Sequence, residues 1–189
     1  MPASRGGLLA AWRLRRHAAS YVGALWGEPD PADVAFLASH EPNGDEDHAR
    51  WELRYARRAA ALLAAQRDAV DDRTAAAVAR ALDAAFQQDR LIARDRLAIA
   101  SRQFNERLAA YREVLTTREG TPLVPRLGLV LLTFLGRPTS AGDPLALRAG
   151  TVVTDALASA NEALRREFGT VELPEDVAPS KAVAARSGG

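Results

Sequence analysis

Asp45, His48 and Glu52 are the residues best suited by type and spacing to bind or catalyse. At i, i+3 and i+7 they fall on one face of a helix, where two carboxylates and an imidazole together suit a divalent metal. His40 and Glu41 lie just upstream and are the nearest further ligands. The competing reading is an acid-rich first helical turn, since Asp and Glu favour the positive end of any helix.

The Asp-x-x-His spacing parallels the Glu-x-x-His unit of di-iron helical bundles, which needs a second such unit and two more carboxylates on facing helices. The other histidines, His17 and His40, stand in no matching motif. The chain has no cysteine, which excludes disulfides, thiolate zinc sites, iron–sulfur clusters and cysteine nucleophiles. No Gly-x-Ser-x-Gly elbow, phosphate loop or dinucleotide fingerprint is present. The sequence therefore calls for no cofactor, and the reading leans away from an enzyme.

A second cluster lies at the start of the chain. Trp12, Arg13, Arg15, Arg16 and Trp26 combine two of the three tryptophans with three arginines, and both residue types serve as interface anchors. A helix of this composition suits a protein partner, or an anionic membrane surface contacted peripherally through residues 4–26. Arg90, Arg94 and Arg102, with Arg80 and Arg107, form a further basic group, but Asp83, Asp89, Asp95 and Glu106 are interspersed among them. A dedicated nucleic-acid binder would carry a less balanced face.

Charge is segregated along the chain. Residues 1–26 hold four arginines and no acid, whereas residues 27–52 hold eight acids and one arginine. Lys181 is the only lysine; with the heavy alanine usage this reads as a bacterial protein from a GC-rich genome. The most apolar run, Leu123 to Leu135, contains Pro125 and Arg126 and is shorter than the ~20 residues that cross a bilayer. The expected setting is the cytoplasm, with no transmembrane span.

The elements that must position these residues are all helical. Apolar residues recur at helical spacing and no hairpin signal occurs, so the expected fold is all-α, a single bundle of six or seven helices. Helices are predicted over 4–26 (stripe Leu8, Trp12, Ala19, Val22, Trp26), about 31–39, 45–70 (Trp51, Tyr55, Leu62, Val70, with Ala59 and Gln66), 73–88 (Val78, Leu82, Phe86) and 92–118 (Leu97, Phe104, Leu108, Tyr111, Leu115). A buried apolar helix near 125–135 is expected to be surrounded by the others, and a last helix runs to Phe168 through Val153, Leu157, Ala160 and Leu164. The organisation is thus an N-terminal helix at 1–26 able to stand apart from the core, a core at 27–169, and a disordered tail at 170–189. The favoured function is a non-enzymatic interaction or assembly subunit, joined to a protein partner or to further copies of itself. A metal-binding bundle of oxidase or storage type is the alternative, and a small-ligand bundle with a pocket around 127–135 is the third.

Overall fold

The computed structural model describes residues 5–117, 120 and 122–169; the tail expected at 170–189 lies outside them. Among the described residues there are seven α-helices and no strand: α1 (Arg5–Leu25), α2 (Pro31–Ala38), α3 (Glu46–Asp68), α4 (Asp72–Gln87), α5 (Leu97–Thr116), α6 (Leu123–Phe134) and α7 (Pro144–Phe168). A 3-10 turn, Arg94–Arg96, leads into α5.

The helix starts follow from aspartate. Asp30, Asp45, Asp71 and Asp143 each accept hydrogen bonds from backbone N–H groups of the second or third residue of α2, α3, α4 and α7, satisfying donors that a helix cannot pair internally. Pro31 and Pro144 follow two of these caps, where a missing N–H costs nothing. α7 stops at Gly169, whose φ of 82° suits glycine.

α3 is the centre of the bundle and packs against each of the other six α-helices. From Ala49 to Ala65 it is buried nearly all round. The sequence pattern assigns only one stripe to α3, and predicts residues 125–135 as the helix surrounded by the others. α6 does place Leu127, Leu131, Leu132 and Leu135 wholly in the core, but Thr133 is exposed and Leu129, Val130 and Phe134 are half-buried. The reason is alanine. Its small side chain lets neighbours close in on every side of α3, although hydropathy ranks it far below leucine. Val70, predicted for the α3 stripe, lies past the end of the helix and is exposed, as is Gln66.

Two other boundaries differ. α5 begins five residues later than predicted, because Asp89 captures the Leu91 N–H and holds the junction out of helical conformation. The α1 stripe is also rotated. Ala18, Tyr21 and Val22 are buried, with Leu14 and Leu25 partly covered, while Leu8, Trp12 and Ala19 are exposed. The stripe at 14, 18, 21, 22 and 25 is as regular as the predicted one, and it wins because the Tyr21 hydroxyl finds the Ala61 carbonyl, 2.8 Å away, inside the core.

α6 and α7 form an antiparallel pair in very close contact. Gly128 faces the Ala146 carbonyl and Gly150 faces the Val124 carbonyl, with no side chain between the two backbones.

Candidate docking surface

α1 has two dissimilar halves. Its second half is part of the core: Tyr21 is fully buried, bonded to α3, and edge-on to Phe168 of α7. Burial pushes the Tyr21 phenol well above its ordinary range. On the same side Ser20 donates to Glu167, which also faces His17, and these contacts hold the Glu167 carboxyl below the usual range. The first half carries its apolar residues outward. Leu8, Leu9 and Trp12 are 59%, 59% and 55% exposed, alongside the exposed Arg13, Arg15 and Arg16. The Arg16 guanidinium lies 5.6 Å from the Trp12 ring, so one charged group already shades that indole.

A groove of about 730 Å³ runs between α1 and α4. Ala19 and Gly23 of α1 and Ala77, Ala81, Ala84 and Ala85 of α4 floor it, and Trp26 lines it as well. Arg15, Arg80 and Arg90 stand along it. The acid that lines it, Asp89, has a side chain only 4% exposed and is paired with Arg58.

Trp26 is therefore not part of the projecting surface that holds Trp12. Its indole is covered by Arg58, whose guanidinium carbon lies 3.9 Å from the ring centroid, with Phe86 and Trp51 at 5.4 and 5.8 Å. Nη2 of Arg58 donates to Asp89, while Nη1 is buried without a hydrogen-bond partner and is compensated by the surrounding π faces. Burial lowers the Arg58 pKa and the neighbouring carboxylate opposes that shift. This cage fixes the α4–α5 junction onto α3.

The predicted metal trio is not brought together. Asp45 turns its Oδ1 to the backbone N–H groups of Asp47 and His48. His48 sits between Glu41 (Nδ1 to Oε1, 3.4 Å) and Glu52 (Nε2 to Oε1, 3.6 Å). Glu52 is committed to Arg107, accepting from Nε at 2.9 Å and from Nη2 at 2.6 Å. Glu41 is occupied by the Asp45 and Asn43 N–H groups, which hold its carboxyl below the usual range. His40 faces Phe36 and its carbonyl instead. Among the described residues no group of three or more His, Asp or Glu side chains could hold a metal ion. The arrangement is a clamp between α3 and α5, closed by the Glu52–Arg107 pair. His48, Glu52 and Arg107 also lie at the wall of a second cleft of about 420 Å³.

The chain matches no protein-family model, and no curated protein or solved structure shows significant similarity to it.

The remaining candidates disperse. Arg107 is withdrawn into the core, so the basic group of the sequence loses one member there, while Arg80 and Arg90 border the groove. Around Leu127 the space shared with Ala56, Leu63, Tyr111 and Val153 leaves no room for a water molecule, which removes the basis for a ligand pocket at that point. Among the described residues no helix is long and apolar enough to cross a membrane. Sequence reasoning missed the groove because its floor is alanine, which no motif marks. It missed the Glu52–Arg107 pair because 55 positions separate the partners.

Proposed function

We propose that this chain is a non-enzymatic helical interaction or assembly subunit, which engages a larger complex through α1. One observation carries the reading: a helix rooted in the core by Tyr21 continues outward with Leu8, Leu9 and Trp12 exposed on it. A large apolar residue exposed singly is ordinary, but three within five positions beside three arginines make a patch suited to a partner. Rooting also favours binding, since a preformed helix loses less conformational entropy on docking than a free segment.

The test is a double substitution, Leu8→Glu with Trp12→Glu, in the full chain returned to its cell of origin. Association with co-purifying protein, read by size-exclusion chromatography and cross-linking mass spectrometry, is expected to weaken by about 30-fold or more, the loss of a ≥2 kcal/mol anchor. Circular dichroism and Tm should stay unchanged because the substituted side chains are exposed. Undiminished association with protein overturns the proposal, and so does loss of binding only to anionic vesicles.

A further inference from the structure

We infer that the α1/α4 groove receives an acidic amphipathic helix from a partner protein. This rests on the assembly role proposed above and names the chemistry of the partner. The shape comes first. The residues that line the groove fall at 15, 19, 22 and 23 of α1, with 26 just past its end, and at 77, 80, 81, 84 and 85 of α4, with 88 at its C-cap. Both sets follow helical ridges over twelve positions, so the groove is about 17 Å long, three helical turns. Between two such ridges a third helix packs by ridges into grooves, and alanine and glycine allow the close approach this requires.

An extended peptide fits worse for a reason of hydrogen bonding. Alanine side chains offer nothing to its backbone N–H and C=O groups, which would be stranded against the floor, whereas a helix satisfies its own. Charge then selects the occupant. Arg15, Arg80 and Arg90 stand at the groove with no carboxylate among the described residues paired to them, and Asp89 is already neutralised by Arg58. The groove thus offers an apolar floor between unopposed guanidinium groups. An occupant with leucine-type residues on one face and Glu or Asp flanking them complements both features. A second copy's α1 does not, because its own Arg13, Arg15 and Arg16 would be set against the same charges.

The experiment uses the full chain and three synthetic peptides of roughly four turns. One has leucines at i, i+3, i+7 and i+11 flanked by glutamate, one has lysine for every glutamate, and one is the glutamate peptide with two central prolines. Binding is followed by NMR shifts of the Ala81, Ala84 and Ala85 amides and of the Trp26 indole. The glutamate peptide should bind at least 10-fold tighter than the lysine peptide, and the proline peptide should not bind. The exposed double change Arg80→Glu and Arg90→Glu should reverse the order of preference. The Leu8→Glu/Trp12→Glu chain should bind the glutamate peptide as the parent does, which separates failure of the groove from failure of the projecting surface. Equal affinity for both charges overturns the inference. So do shifts confined to residues 7–14, groove shifts that grow with protein concentration alone (a second copy), and groove shifts produced only by phosphatidylglycerol vesicles (a lipid surface).

Discussion

Replacing Arg107 by methionine is expected to cost about 3–5 kcal/mol of stability at pH 8, measured by urea unfolding. Methionine keeps an apolar stem but removes the guanidinium, whose carbon lies 4.3 Å from the Phe134 ring centroid, so the loss is mainly electrostatic. Glu52 is 3% exposed and would be left as a buried carboxylate without its bidentate partner. The double change Glu52→Leu with Arg107→Met removes both charges and should restore most of the stability. A single variant within 1 kcal/mol of the parent would show that the pair is not desolvated as described.

Gly128→Ala should lower stability by about 3 kcal/mol or more, near the upper end for overpacking. The added methyl would lie 1.8 Å from the Ala146 carbonyl oxygen and 2.7 Å from the Gly150 nitrogen, so α6 and α7 must separate. Gly150→Ala meets the Val124 carbonyl oxygen at 1.9 Å and should behave alike. The obstacle is backbone in both cases, which cannot turn aside as a side chain can. For a chain of this size the corresponding fall in Tm is about 6–12 °C, readable by calorimetry. Gly23→Ala is the internal contrast. Nothing lies within 4 Å of its added methyl, so this helical glycine should gain about 0.5–1 kcal/mol on substitution. If Gly128→Ala and Gly23→Ala shift Tm in the same direction, the close approach of α6 and α7 is wrong.

The sequence made some of this legible and hid the rest for physical reasons. Val78, Leu82 and Phe86 of α4, and Val153, Ala160 and Leu164 of α7, are buried as predicted, because each is the one strong apolar stripe on its helix. α1 offers two stripes of equal regularity, and periodicity alone could not choose between Trp12 and Tyr21. The α6–α7 contact turns on Gly128 and Gly150, whose value is the absence of a side chain and so leaves no hydrophobic signal. At the candidate surface composition groups Trp26 with Trp12 and its arginines, whereas Trp26 lies beneath Arg58. Asp45, His48 and Glu52 do share one helix. A helical face says nothing of what stands opposite, and here Arg107 claims the carboxylate that a metal would need.

The alanine-rich α3 has a consequence for how the molecule comes apart. Since α2, α4, α5 and α7 pack directly on it, and α1 and α6 pack chiefly on α4 and α7, opening α3 to solvent is expected to require global unfolding. Deuterium should enter the amides of Ala59 to Ala65 last and at one common rate set by global unfolding, whereas the outer turns of α1 label early.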